Sequence, residues 1–427
     1  MKVAMMSNQT LRSSSQSEKY RQKYSIVDFQ SFLNNFMQSE FWKAMESTVE
    51  NSPWHREANV AVHTLMTMDA ERQRYAASLG TSDLSDENSP THIQERREHI
   101  LTMFALLFHD TGKPQAEQVK ESAERGIYRS YAGHEQISAR VFEDYAISHW
   151  TEIAHILQPQ DIYVITWMIE HHLPYTVTKE HKLKALATTL GKIFAPCSVN
   201  AFFNMLKGDS YGRDSDNWDE NYGNVLLWIE AMQQRIQQVS ASNVPSSKLA
   251  ANTLFMLIGP PGVGKSTIRK HLSVIYENDV CIYSLDDLRY EYADKFGNMN
   301  SQSHPDPYEL YTAVFRYCSD PDNEKLFSQY AEADLQAKLA MNKNIIIDNT
   351  NTSAKSRNDI LQKAAPRKMA TIAFYFPSSI DLLLARNVLR NDKKLPHSVL
   401  QRMHSSVAVP AVGEFDEVHL VFPPHVV

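Results

Sequence analysis

The chain has 427 residues, of which 43% are hydrophobic and 22% charged, with a formal net charge of −7. That length exceeds one ordinary core, so two domains are expected, and the balance is that of a soluble globular protein. The negative charge excludes a protein that coats nucleic acid through a broad positive surface, but not an enzyme that grips only the end of a strand.

Three scattered cysteines, Cys197, Cys281 and Cys318, point to a reducing, cytoplasmic setting and away from a disulfide framework or thiolate metal site. No apolar run reaches the roughly 18–20 residues that span a bilayer, so no membrane partner is expected. The first residues lack the continuous apolar stretch of a signal peptide.

Residues 1–20 are rich in Ser, Gln and Asn, which predicts a mobile segment. From Ile26 to Val49 the apolar positions Val27, Phe29, Phe32, Leu33, Phe36, Phe41, Trp42 and Met45 fit one helix face or two short helices. Helical patterns continue to about Gln238, broken by a turn-rich loop at 80–91, and strand-like runs are scarce. The expected first domain is therefore all-α, over 21–238. Residues 239–248, VSASNVPSSK, are polar and read as a linker. From 249 to 427 the texture changes. TLFMLIG, VCIYSL, NIIIDNT and MATIAFYF alternate with helical stretches, the pattern of an α/β domain with a parallel sheet.

Within the helical part, His63 sits in an apolar helical run. His109 and Asp110 end another, where Gly112 offers a stop and Pro114 forbids continuation. His134, the adjacent His171 and His172, and Asp209 follow on or beside helices. Helices that project His and carboxylate side chains inward build metal sites, and these donors suit Zn, Fe, Mn, Co or Ni. A lone His on an apolar face is more often a core residue, so the ordered series carries the signal. His99, His149, His155 and His181 fall outside it and read as surface or structural.

In the α/β part, LFMLIGPPGVGKST is an apolar strand, a G-x-x-x-x-G-K-[ST] loop and a helix start, the context of a phosphate-binding loop. Gly259, Gly262, Val263 and Gly264 shape a backbone cradle whose N–H groups and helix dipole favour phosphate. Lys265 reaches the outer phosphates, and Ser266, beside Thr267, ligates Mg²⁺. The cofactor expected is ATP or another NTP with Mg²⁺. Asp286, Asp287 and Arg289 follow the second strand, and Asp348, Asn349, Thr350 and Asn351 end the third. Residues at such strand ends lie near the ligand crevice. Arg386 and Arg390 are spaced i,i+4 and face one way if helical.

The helical series resembles the HD phosphohydrolase superfamily over roughly residues 55–215. The resemblance implies that His63, His109, Asp110 and Asp209 hold a first divalent metal. It also implies that Asp110 bridges to a second, held by His134 and by His171 or His172. Paired ions clamp a phosphate and acidify a water. Lys113 is a candidate phosphate contact or a solvated loop lysine; Arg213, four residues after Asp209, is a similar candidate.

The order phosphate loop, S-x-D-D-x-R, D-x-T-N and R-N-x-x-R resembles the bacteriophage-type polynucleotide 5′-kinase over about 252–410. That resemblance implies Asp286 as general base, Arg289 as ligand of the acceptor's 3′ phosphate, Asn351 as a further substrate contact, and Arg386 and Arg390 as a lid on the donor. The D-x-D-G-T phosphatase motif that often accompanies that kinase is missing, and so is a K-x-D-G ligase motif. Over most of its length the chain looks like a bifunctional RNA end-healing enzyme with an HD-type helical domain and a P-loop kinase domain. The implied partners are RNA or DNA with 5′-hydroxyl and 3′-phosphate ends, a separate ligase, and a second copy in a homo-oligomer. Two other classes fit less of the pattern: a nucleoside or metabolite kinase fused to a nucleotidase, and an NTP-driven regulator with a non-hydrolytic metal site.

Overall fold

The computed structural model describes residues 23–426, apart from 51–55, 80–89, 123–125, 175–178, 194–195, 216, 243–251, 391–392 and 412. The expected mobile segment lies outside these residues, as does the 243–248 part of the expected linker.

The first part is helical. Two short helices, α1 (Ile26–Phe36) and α2 (Glu40–Ser47), are capped by Ser25 and Ser39, whose side chains accept from Asp28 N and Trp42 N. Their aromatic faces pack inward, except that Val27 is 75% exposed. The longer helices are α3 (Val60–Leu79) and α4 (Pro90–Phe108). Every residue of α4 from Ile100 to Phe108 is buried, as befits a helix apolar all round. Phe29, Phe32 and Phe36 meet Phe104 and Phe108 with ring centroids about 5 Å apart. The central helix therefore ends at a fixed depth and delivers His109 and Asp110 to the interior.

A one-turn helix α5 (Lys113–Ala116) follows, then an antiparallel hairpin of β1 (Gln118–Ser122) and β2 (Gly126–Ser130). The purely helical expectation is corrected here. Gly126, at a φ of +62°, opens the second strand, and Val119 and Ile127 point to solvent, so no core periodicity announced the pair. The bundle continues with α6 (His134–Ser148), α7 (Trp150–Ile153), α8 (Pro159–Glu170), α9 (Glu180–Ile193), α10 (Pro196–Tyr211) and α11 (Trp218–Ser242). Residues 239–242, expected in the linker, continue α11.

The second part is an α/β layer. Five parallel strands stand in the order β4 (Val280–Tyr283), β5 (Asn344–Ile347), β3 (Thr253–Ile258), β6 (Ala370–Tyr375), β7 (Glu417–Leu420). β5 is buried throughout, and so is β3 after its first residue, which explains their unbroken apolar runs. The edge strand β7, EVHL, is half charged or polar and went unpredicted. The chain leaves β3 for β4 and β5 on one side and returns to β6 and β7 on the other. The crevice this opens lies at the strands' C-terminal ends. The helices are α12 (Lys265–Tyr276), α13 (Leu285–Gly297), α14 (Pro307–Ser319), α15 (Pro321–Ala340), α16 (Ala354–Ala364), α17 (Ile380–Val388) and α18 (His397–Ser405).

One continuous apolar core joins the two parts. At their contact Tyr375 Oη lies 2.9 Å from Arg140 Nη1 and 2.5 Å from Glu143 Oε2, and Tyr163 Oη donates to Pro410 O at 2.6 Å. No helix among the described residues is long and apolar enough to cross a membrane.

Candidate active sites

The first cluster is assembled by α3, the ends of α4 and α8, the start of α6, and α10. Asp110 lies at its centre. Its Oδ2 is 3.2 Å from His109 Nε2 and 3.6 Å from His63 Nε2; its Oδ1 is 3.1 Å from His134 Nε2 and 4.0 Å from His172 Nε2. Asp209 Oδ1 stands 3.2 Å from His63 Nε2 and 3.6 Å from His109 Nε2. All six groups are buried, His134 the least at 7% exposed. Two overlapping sets of donors, His63–His109–Asp110 and Asp110–His134–His172, each fall within 4.8 Å and share Asp110.

The far ring nitrogens fix the chemistry. Nδ1 of His109, His134 and His172 lies 2.7–2.8 Å from the carbonyls of Leu106, Tyr131 and Ile169. A carbonyl only accepts, so these nitrogens carry the protons and Nε2 turns its lone pair to the centre. His63 Nδ1 is likewise 3.2 Å from Glu57 Oε1. Such outer contacts orient histidines that bind metals. Charge argues the same way. Three buried carboxylates, Asp110, Asp209 and Glu50, converge there with two cations, Lys113 and Arg213. A divalent ion suits such an acidic set of donors. Without one, burial opposes charge on His109, but Asp110 and Asp209 outweigh it and hold the imidazole up at about 10. Burial and the neighbouring His134 and His109 push His172 down to about 3.

Gly112 explains part of the H-D-T-G-K run. A Cβ there would stand 2.5 Å from His134 O and 2.7 Å from Ser138 N, so the turn after Asp110 packs its bare backbone on the start of α6. Gly112 N–H donates to Ser138 Oγ at 2.8 Å.

Several sequence expectations need revision. His172 joins the cluster, whereas His171 turns away and stacks on Trp167 with centroids 4.2 Å apart. Lys113 is neither solvated nor free to meet a phosphate in this arrangement: it is buried and paired with Glu50 and, at 2.8 Å, with Asp110 Oδ2. Those carboxylates outweigh the burial penalty and raise its pKa. Arg213 lies just past the end of α10 and pairs with Asp209. Glu50 and Glu57 were missed. Glu50 meets Lys113 across 63 positions, and no periodicity marks the pair that Glu57 makes with His63 six positions on.

The second site is a cavity of about 1200 Å³ at the C-terminal ends of the strands. The phosphate loop lies between β3 and α12, with Gly262 and Gly264 at φ of +91° and +111°. Gly262, Gly264, Lys265 and Ser266 line the cavity; Gly259, Val263 and Thr267 shape the loop behind it. Lys265 Nζ donates to Gly259 O and Pro260 O at 2.8 and 2.9 Å. Burial pushes this amine down to about 8, against the pull of Asp348 and Asp286.

Asp286 lines the opposite side. Its Oδ2 is 3.1 Å from Lys393 Nζ and its Oδ1 is 3.0 Å from Arg289 Nη1. Burial disfavours its charge, but Lys393 first and then Arg289 outweigh that and keep it ionised. Asp348 accepts from Arg269 at 2.9 Å, and Asn349 Oδ1 accepts from Leu285 N at 2.8 Å, tying β5 to the start of α13. Arg386, on α17, donates to Gly262 O and Val263 O at 3.0 and 2.9 Å. Arg390 lines the cavity but follows the end of α17, so the two arginines do not share one helix.

Asn351 is not a substrate contact in this structure. It is 5% exposed with a φ of +48°, and its amide donates to Leu257 O at 2.7 Å. It ties the loop after β5 to β3. Lys393 and Arg269 were missed, because each reads as ordinary solvated charge until the fold brings it to a carboxylate.

The parallel sheet, the loop after its central strand and the adjoining crevice define a P-loop nucleotide-binding domain behind a helical part. A family described as an AAA domain matches residues 254–410. Among solved structures, a chain from a "Pnkp1/Rnl/Hen1 complex" is 23% identical over 33% of this chain and 40% of that one, with a TM-score of 0.25. A gluconokinase from Sinorhizobium meliloti 1021 is 14% identical over 41% of this chain and 84% of that one, with a TM-score of 0.26. The chain thus spans less than half the length of the first of these. At such TM-scores neither superposition bears on function.

Proposed function

We propose that this chain heals broken nucleic-acid ends, RNA foremost. In this reading the α/β part phosphorylates 5′-hydroxyl ends with an NTP and Mg²⁺. The helical part opens or removes 2′,3′-cyclic, 2′- or 3′-phosphates. The observation that carries the reading is that one cavity holds a phosphate loop and, facing it, an ionised carboxylate between two cations.

For the kinase step, the loop backbone and Lys265 hold the donor's outer phosphates. Asp286 takes the proton from the acceptor hydroxyl as that oxygen bonds to phosphorus and the bond to the departing diphosphate breaks. Arg386 and Arg390 supply charge to the transferring group once Arg386 leaves the loop carbonyls. Phosphoryl transfer needs little more than such positioning and neutralisation.

For the second step, His63, His109, Asp110 and Asp209 would hold one divalent ion and Asp110, His134 and His172 another. Bound there, such ions supply a water acidified toward a pKa of about 7. Lys113 and Glu50 fix the Asp110 carboxylate between the two sets. The pairing of activities is chemically coherent, since sealing requires a 5′-phosphate and a 3′-hydroxyl; a separate ligase would complete it.

One assay tests the proposal. A labelled RNA with a 2′,3′-cyclic phosphate and a 5′-hydroxyl is incubated with ATP, Mg²⁺ and Mn²⁺, Co²⁺ or Ni²⁺, and both ends are read. Both are expected to change. Phosphorylation of mononucleosides or small metabolites alone would overturn the 5′ half. Metal binding without turnover of any 2′- or 3′-end would overturn the other.

A further inference from the structure

Helix α14 carries two apolar faces. Leu310, Val314, Tyr317 and Cys318 pack into the core. Tyr308, Tyr311, Thr312, Phe315 and Arg316 line the cavity instead, at the three- and four-residue spacing of a second helical stripe. Phe315 is 46% and Tyr308 45% exposed. The core does not use these rings, and large aromatics on an open wall call for an occupant.

The wall is tied to Asp286 by two cations. Arg289 bonds the carboxylate at 3.0 Å and lies 5.3 Å from the centre of the Phe315 ring. Lys393 bonds its other oxygen at 3.1 Å and lies 5.9 Å from the centre of the Tyr311 ring. Tyr311 and Phe315 are one turn apart with centroids 6.3 Å apart. A flat group joined by a sugar to a hydroxyl at Asp286 would reach them. Charge agrees. Nine Lys and Arg side chains line the cavity against four Asp, on a chain whose net charge is −7, so the basic surplus is concentrated here and extends beyond the phosphate loop.

We infer that Tyr311 and Phe315 form a stacking wall for the nucleobase of the acceptor's 5′-terminal nucleotide, so that this site selects a nucleic-acid strand over a small alcohol. The inference rests on the reading that the α/β part phosphorylates 5′-hydroxyl ends. Aromatic stacking suits it because every base offers a π-face, which gives affinity without strict sequence choice.

The test uses the full chain and two 5′-hydroxyl oligoribonucleotides, one intact and one abasic at its first position. Wild-type protein should show a KM on the order of tenfold higher for the abasic strand. Phe315→Ala and Tyr311→Ala should raise the KM of the intact strand by a similar factor, with kcat and the KM for ATP nearly unchanged. They should leave the abasic KM where it was, and Phe315→Trp should restore the intact value. Equal KM values for the two strands with wild-type protein would overturn the inference without any variant. So would variants that weaken both strands alike. If neither strand is phosphorylated, the functional reading itself falls and this inference falls with it; if both are phosphorylated equally well, the inference falls alone.

Discussion

The two sites are built on opposite plans. The His–Asp cluster is closed: six buried groups from five helices or their ends converge, and the outer nitrogens of its four histidines are already committed. The phosphate-loop cavity is open, and its cations rest on one another's neighbours. Lys265 caps Gly259 and Pro260, Arg386 caps Gly262 and Val263, and Lys393 and Arg289 hold Asp286. One site is organised before anything binds and gathers buried carboxylates at its centre. The other must exchange internal contacts for those of a nucleotide. Changes to the first should therefore act through occupancy by metal, and changes to the second through charge placed on a moving phosphoryl group.

The hardest test of that independence is Asp110→Ala. It removes the one carboxylate shared by both donor sets. Release of phosphate from a 3′-end should fall by at least about 10³-fold, while 5′ phosphorylation stays within twofold. Both are measured on the same RNA. Loss of both activities would refute two independent sites.

Next comes Lys265→Ala, expected to lower phosphoryl transfer by about 10²–10³-fold and to leave 3′-end processing intact. Transfer that survives the change would remove the phosphate loop from the mechanism. A smaller effect follows from Glu57→Gln. The side chain keeps its size but no longer holds the His63 ring with a full carboxylate. Divalent-metal affinity, measured by titration calorimetry with Mn²⁺, should drop about 10–100-fold, with the helical fold unchanged by circular dichroism.

The same contrast explains what could be read from the chain. The succession of helical periodicity and four apolar strand runs was legible because each follows from local pattern. So was the phosphate loop, whose residues are contiguous. The ordered histidines and aspartates stood out as a series, yet the choice between His171 and His172 did not. It depends on how the chain turns after α8, which aims one ring at Asp110 and lays the other on Trp167. Asn351 misled for the reverse reason: a motif placed it at a strand end near the crevice, but a left-handed backbone turns its amide inward. Lys393 meets Asp286 across 107 positions, and no local signal separates it from a solvated lysine. The exposed hairpin and the polar edge strand β7 escaped because neither has a core-facing rhythm.

The mildest expected effect is a pH dependence of nucleotide affinity, and its sign separates the open site from the closed one. Burial lowers Lys265 from an ordinary lysine value to about 8 in the protein without nucleotide. A triphosphate brings negative charge to the same place and favours the ammonium form, so the pKa rises on binding. Below about pH 7 the amine is charged in both states and affinity should be flat. Above about 8 the free protein has lost that proton and must recover it to bind, so affinity should weaken by up to about tenfold per pH unit. Stability of the nucleotide-free protein runs the other way. Between pH about 8 and the ordinary lysine value the unfolded chain binds more protons at this residue than the folded one, so raising the pH stabilises the fold through Lys265. Calorimetry of ATP binding in buffers of different ionisation enthalpy should detect up to about three-quarters of a proton taken up at pH 8.5. In Lys265→Met, both the proton uptake and this share of the pH dependence should vanish. A wild-type affinity that stays flat as pH rises through 8 would show that the amine keeps its proton in the free site, and that this cavity is as fully organised before binding as the His–Asp cluster.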